Sequence, residues 1–212
     1  MKRASFVVSG LATLALLAAC ASTGTQRVEA TRERMDSMTR NIDMLKIHVD
    51  NDASSLADLV NKTQPDPKLQ YEKYRSDSRA LRSAVAECES RYNNVRASAD
   101  KLFQEWSMRA DTIKDADVKK VSEQRRNELS KAIDGFIASA QPALEQLKSY
   151  SETSKDIEAY LANDLTPSGI RALSDKSKAQ TSAAAAINRK LDDVAAAAQK
   201  ASTEFATIGT PE

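Results

Sequence analysis

Apolar residues recur along most of the chain at alternating steps of three and four. The clearest run extends from Tyr71 to Ile113, and only Ser78 and Arg109 interrupt its apolar character. Residues spaced in this way lie on one face of an α-helix, so the pattern predicts an amphipathic helix. Because it persists for about six heptads, it is typical of helices that pack along their whole length, as in coiled coils.

Three further stripes have the same spacing, which predicts four long helices in all. The first stripe comprises Val28, Thr31, Met35, Met38, Ile42, Leu45, Val49, Asp52, Leu56 and Leu59. The third comprises Leu129, Ile133, Phe136, Ala140, Ala143, Leu147, Tyr150, Ser154, Ile157 and Leu161. The fourth comprises Ile170, Leu173, Ser177, Gln180, Ala184, Ile187, Leu191, Val194, Ala198, Ala201, Phe205 and Ile208.

Helix-breaking residues lie between the stripes. Pro65 and Pro67 separate the first two helices, and Thr166-Pro167 precedes the fourth. The second break, near Asp111 to Asp117, has capping residues but neither Gly nor Pro, and we prefer a hairpin there to one continuous helix. The predicted fold is all-α, an elongated antiparallel (up-down-up-down) four-helix bundle over residues 27–208. Its helices are predicted at about 27–63, 67–113, 117–162 and 167–207.

The N-terminus has the layout of a secretory signal peptide over residues 1–19. Lys2 and Arg3 precede an apolar segment that ends in small residues before Cys20. This apolar segment is shorter than the ~20 residues that span a bilayer, which disfavours a transmembrane anchor. The position of Cys20 resembles the lipobox of bacterial lipoproteins. The resemblance implies a thioether-linked diacylglycerol on Cys20, an amino terminus acylated by a fatty acid such as palmitate, and a short tether over 20–26.

Composition narrows the range of partners. Without Lys2 and Arg3, the chain keeps 29 of its 31 basic residues against 30 acidic ones. A balanced charge disfavours nucleic-acid binding and gives no general attraction to anionic lipid. Cys88 is the one cysteine besides Cys20. Its place on the second stripe predicts a packed thiol, with an intermolecular disulfide as the alternative.

Four segments carry a family resemblance. They are Ala99–Trp106 with its Leu-Phe-Gln-Glu-Trp stretch, Pro142–Leu144, Tyr160–Leu165 and Ile170–Leu173. In this order behind a lipobox, they resemble a family of uncharacterised bacterial lipoproteins that is known as a domain of unknown function. The resemblance implies long helices and an envelope location, and it implies no activity.

No motif in the sequence predicts catalysis or a metal site. The chain lacks a P-loop, a dinucleotide-binding glycine motif and a nucleophile elbow. His48 is the single histidine, and no second ligand lies at metal-binding spacing. We therefore expect no enzyme activity, no metal, and no cofactor other than the covalent lipid on Cys20.

One group of polar residues interrupts the stripes at a common level. Asp52, Ser78, Ser154 and Ser177 each lie about three turns from the loops that the topology places at one end of the bundle. We predict a polar layer across the core, with Arg79 reaching Asp52. Such a layer sets the register of the helices, because a slipped pairing would bury unpaired polar groups. A pocket for a small polar ligand is the alternative.

The expected function is structural. A rod held on a membrane through Cys20 would act as a spacer or scaffold in the cell envelope, on the periplasmic face of the outer membrane if the host has two membranes. Its partner would be an envelope protein or the cell wall. The alternative is a ligand- or peptide-binding helical module with a groove beside Pro142.

Overall fold

The computed structural model describes residues 24–62 and 66–209, with side chains described up to residue 207. Within these residues the fold is all-α, without strands. The signal peptide predicted over 1–19 and the lipidated Cys20 lie outside the described residues. The helices are α1 (Gly24–Asn61), α2 (Lys68–Ala110), α3 (Ala116–Asn163), α4 (Pro167–Ala172) and α5 (Ser174–Gly209).

The four long helices pack around a common core, with α1 and α3 each contacting both α2 and α5. Side-chain hydrogen bonds show how neighbouring helices are aligned. Between α1 and α5, Asn188 donates to Asp50 at 2.7 Å and Ser202 donates to Asp36 at 2.6 Å. Residues later in α1 therefore lie beside residues earlier in α5.

The contacts of α2 with α1 and with α3 follow the same alignment. Near the start of α1, Thr31 Oγ1 lies 2.9 Å from Ser98 Oγ in the second half of α2. Between α2 and α3, Tyr74 bonds to Ser154 at 2.8 Å, whereas a late α2 residue, Ser107, accepts from Arg126 at 3.1 Å.

The predicted stripes are the buried faces of these helices. All ten stripe positions on α1 and all ten on α3 are buried, as are those of α2 from Tyr71 to Leu102. The α2 stripe changes at its end, where Arg109 is exposed and Ala110 is buried instead. The chain leaves the helix at this point, so the heptad spacing no longer decides which side chain faces the core.

The predicted fourth helix, 167–207, is divided in two. Thr166 caps α4 by accepting a hydrogen bond from the Gly169 N–H at 3.1 Å, and Pro167 occupies the first turn as predicted. Leu173 then separates α4 from α5, and its N–H bonds to Ile170 three residues back. A tightened turn of this kind is frequent at the end of a helix.

Other helix ends differ from the prediction by a few residues. The first helix begins at Gly24, so part of the predicted tether 20–26 is helical. In the second break, Asp115 caps α3 by accepting from two backbone N–H groups, which leaves residues 111–115 as the connection. At the start of α2, Asp66 accepts from the Lys68 N–H at 2.9 Å, and Pro67 precedes the helix rather than opening it.

Candidate functional site

The four residues predicted to form a polar layer are all buried. Asp52, Ser78 and Ser154 have no exposed surface, and Ser177 is 2 % exposed. They lie at the boundary of two apolar clusters of the core. On α1, the larger cluster extends to Ala53, one position beyond Asp52, and the smaller one begins at Leu56.

Asp52 is the centre of a hydrogen-bond network that joins three helices. Its Oδ2 atom accepts from the Tyr150 hydroxyl at 2.9 Å and from the Ser154 hydroxyl at 2.8 Å, both on α3. From α5, the Gln180 amide donates to Ser154 Oγ at 3.0 Å. The other carboxylate oxygen, Oδ1, is buried without a hydrogen-bond partner among the described residues. The Asp52 carboxylate is therefore held through Oδ2, whereas the hydrogen-bonding capacity of Oδ1 is unsatisfied within the described residues.

The second helix joins this network through Tyr74, whose hydroxyl donates to the Ser154 carbonyl at 2.8 Å. Ser78 lies one turn further along α2 and accepts from Arg82 at 2.8 Å. Ser177 lies one turn before Gln180, and its backbone N–H donates to the Leu173 carbonyl at 2.8 Å. Gln180, rather than Ser177, is thus the α5 side chain that reaches Ser154.

The predicted contact between Arg79 and Asp52 is wrong. Arg79 contacts Glu158 on α3 at 3.3 Å, because its side chain is 54 % exposed and lies at the surface, whereas Asp52 is fully enclosed. Arg82 contacts the same carboxylate at 2.7 Å, and Arg75 contacts it at 3.5 Å. Three guanidinium groups along α2 therefore share Glu158, which is 12 % exposed, at the rim of the polar layer.

Sequence reasoning placed Tyr74, Tyr150 and Gln180 on the apolar stripes and did not assign them to the polar layer. A signal was present, because each lies about one turn from a predicted polar residue on the same stripe. A buried tyrosine hydroxyl or glutamine amide needs a hydrogen-bond partner, and the nearest partners are these neighbours.

Burial dominates the electrostatics of the layer. It raises the pKa of Asp52 to about 6, although the hydrogen bonds from Ser154 and Tyr150 act in the opposite direction. The pKa of Tyr74 and that of Tyr150 are raised too, first by burial and then by the charge of Asp52. Both tyrosines therefore stay protonated and act as donors, and Asp52 is the group in the layer that titrates near neutral pH.

Cys88 and His48, the other candidates for reactivity or metal binding, are not part of the polar layer. Cys88 is buried, and burial raises the pKa of its thiol to about 11, so the reactive thiolate is scarce. His48 is half-buried on α1. Residues 24–62 and 66–209 contain no group of three or more His, Cys, Asp or Glu residues that could hold a metal ion.

A groove of about 250 Å³ runs between α1 and α5, close to the polar layer. Small side chains line it, namely Asp50, Ala53, Ser54, Ala57, Thr181, Ala184 and Ala185. Ligand pockets commonly have volumes of about 300–1,000 Å³, so this groove is small for a ligand site.

These features define an all-helical protein whose long helices share an apolar core with one buried polar layer. Among the helices that the structure describes, none is long and apolar enough to cross a bilayer. A model of a protein family of unknown function, DUF2959, matches residues 18–207, and the chain belongs to this family. No curated protein and no solved structure matches the chain significantly. The match supports the predicted resemblance as far as a domain of unknown function; the lipoprotein character stays a prediction.

Proposed function

We propose that the protein is a lipid-anchored spacer or scaffold of the bacterial cell envelope and that it is not an enzyme. The observation that carries the proposal is the buried stripe that follows each long helix along nearly its whole length. Side-by-side packing of this kind makes a stiff rod, because each turn of each helix contributes apolar contacts to the core.

The arrangement of contacts supports an up-down-up-down bundle. Early residues of α1 lie beside late residues of α2 and α5, and early residues of α2 lie beside late residues of α3, as expected when successive helices reverse direction. Helix α3 has 48 residues, which corresponds to about 70 Å. The α1–α2 and α3–α4 connections would lie at one end of this rod, and the α2–α3 connection with the start of α1 at the other.

The anchor in this proposal is Cys20, acylated in the manner of bacterial lipoproteins. Cys20 precedes the first residue of α1, Gly24, by four positions, so at most about 14 Å of chain separates the lipid from the rod. More than one acyl chain is needed for stable anchoring, and the lipoprotein pattern supplies it. The anchored face would be the periplasmic side of the outer membrane in a host with two membranes. The distal end would reach an envelope protein or the cell wall.

The polar layer fits a role in register. A slip by one turn would move Asp52 against apolar residues and leave Tyr150 and Ser154 without their acceptor, which is costly in a buried site. Combined replacement of the network, with Asp52→Leu, Tyr150→Phe, Ser154→Ala and Gln180→Leu, should raise the melting temperature and permit alternative pairings. Loss of folding, or an unchanged melting temperature, would count against the register role.

Two experiments test the anchor and the spacer role. Cells fed an alkyne analogue of palmitate should label the native chain and the matched control Cys88→Ala, but not Cys20→Ala. In electron cryotomograms, deletion of the gene should change the distance between membrane and wall. The Cys88→Ala form should restore that distance, and the Cys20→Ala form should not. An unchanged distance in the deletion strain would refute the spacer role.

The alternative is a ligand- or peptide-binding helical module, and the groove between α1 and α5 is the observation in its favour. A thermal-shift screen with envelope extracts and small polar compounds separates the two functions. Stabilisation of the native chain that is lost in Ala185→Leu, which adds bulk at an exposed position of the groove, would favour ligand binding over the spacer.

A further inference from the structure

The connection between α2 and α3 exposes large apolar side chains. In the α2–α3 tip, defined here as residues 108–121, Met108 is 57 % exposed, Val118 is 56 % exposed and Val121 is 54 % exposed. A single exposed apolar residue is ordinary in a protein surface. Three within two helix ends and a five-residue connection are unusual, and they point to a surface that becomes covered.

The tip lies at the same end of the molecule as the start of α1. Arg27 in the first turn of α1 forms a salt bridge with Glu105 near the end of α2, at 2.8 Å. From these two residues, α1 extends three positions back to Gly24, and α2 extends five positions on to Ala110. At 1.5 Å per residue, both helices end at about the same level, and the connection 111–115 projects beyond it.

This position identifies the occupant. In the proposed function the lipid is attached at Cys20, within about 14 Å of Gly24, so the bilayer surface lies beside the tip. We infer that the α2–α3 tip inserts its apolar side chains shallowly into the bilayer surface and forms a second membrane contact beside the lipid anchor. This inference rests on the proposed function and adds the second contact to it.

The charges of the tip fit a shallow contact rather than a deep one. It contains four basic and three acidic residues, for a net charge of +1. Lys119 pairs with Asp111 at 3.1 Å, and Asp115 is engaged as the cap of α3. Such groups stay in the headgroup region, where lysine side chains extend toward water while their stems cover apolar surface. Apolar insertion, and not charge, therefore provides the contact.

Two contacts restrain a rod more than one does. A rod held only through the lipid on Cys20 can tilt about that single attachment point. A second contact on α2 and α3 would limit this tilt and hold the rod away from the membrane plane, as a spacer requires.

The test uses the full chain, acylated at Cys20 and reconstituted in vesicles of phosphatidylethanolamine and phosphatidylglycerol. Val121→Cys places a fluorescent nitrobenzoxadiazole label on the tip. Ile47→Cys is the matched control, because Ile47 is 49 % exposed but lies in the middle of α1. Native Cys88 is buried, so it stays unlabelled.

We expect the label at 121 to shift its emission to the blue and to lose most of its intensity to a nitroxide on the lipid headgroups. The label at 47 should keep its intensity. Adding Met108→Ser and Val118→Ser to the Val121→Cys chain should restore much of the emission at 121. Neither added change touches the buried core, so the fold is retained.

The outcomes separate this inference from the anchor. Equal emission from labels at 121 and 47, in chains that float with the vesicles, overturns the membrane contact and leaves the anchor intact. A chain that does not float overturns both. If the label at 121 responds in cell envelopes but not in protein-free vesicles, a protein covers the tip and the inference is wrong.

Discussion

Asp52→Asn should change the stability of the protein in a way that depends on pH. Asp52 is fully enclosed, and burial raises its pKa from 3.8 to about 6 in the folded chain. Between these two values the folded chain holds a proton that the unfolded chain has released. The free energy of unfolding therefore falls as the pH rises from about 4 to about 6, and the loss is complete above that range.

The size of the effect follows from the shift. A difference of about two pKa units corresponds to about 3 kcal/mol, at about 1.4 kcal/mol per unit. Asparagine is neutral at every pH, and its carbonyl oxygen can accept from Tyr150 and Ser154 as the carboxylate does. The advantage of the substituted chain over the native chain, measured as free energy of unfolding, should therefore grow by up to about 3 kcal/mol from about pH 4 to about pH 8.

Urea unfolding followed by circular dichroism measures this difference, using the chain without residues 1–20. Asp50→Asn is the matched control, since it removes an exposed carboxylate two positions away and retains Asp52. It should leave the native pH dependence in place. If the advantage of Asp52→Asn over the native chain is the same at both ends of the range, the buried carboxylate does not carry the charge that we assign to it.

Four further experiments test local features of the fold. Gly135→Ala should raise the free energy of unfolding by up to about 1 kcal/mol in thermal melts, because open space surrounds a Cβ there and alanine favours the helix. Gly169→Ala should lower it, since its Cβ would lie 2.6 Å from the Asp164 carbonyl; a neutral result would contradict this close approach. Tyr92→Phe should be neutral or stabilising in urea titrations, because its buried hydroxyl has no hydrogen-bond partner in the described chain; the control Tyr74→Phe, which loses a bond of 2.8 Å, should cost about 1 kcal/mol. Cys88 should react with iodoacetamide only on unfolding, as mass spectrometry in urea would show, and fast labelling of the folded chain would refute its burial.

The spacing of apolar residues carried most of the information about the core. A stripe position such as Phe136 or Leu81 has to be buried once the segment is helical, because no other face of the helix is apolar enough to pack. The same spacing became unreliable at the ends. Arg109 continues the heptad count of α2 but is exposed, since the chain turns away from the bundle within two residues.

The polar layer was only partly predictable. The interruptions at Asp52 and Ser154 are visible along the stripes, and the structure brings these two residues together at 2.8 Å. Which arginine approaches the layer was not visible, because Arg75, Arg79 and Arg82 all lie within two turns of α2. All three contact Glu158, and this depends on the relative rotation of α2 and α3.

By itself, the sequence determined that this chain forms long amphipathic helices, where most of their ends lie to within a few residues, and which faces they bury. These properties depend on neighbours within a few turns of one helix, so a linear pattern records them. Only the tertiary structure decided that Tyr150 and Gln180 complete the network around Asp52 and that the α2–α3 tip lies beside the start of α1. Those relations depend on the rotation and alignment of helices that are far apart in the chain. Side-chain packing between helices sets them, and no local spacing encodes them.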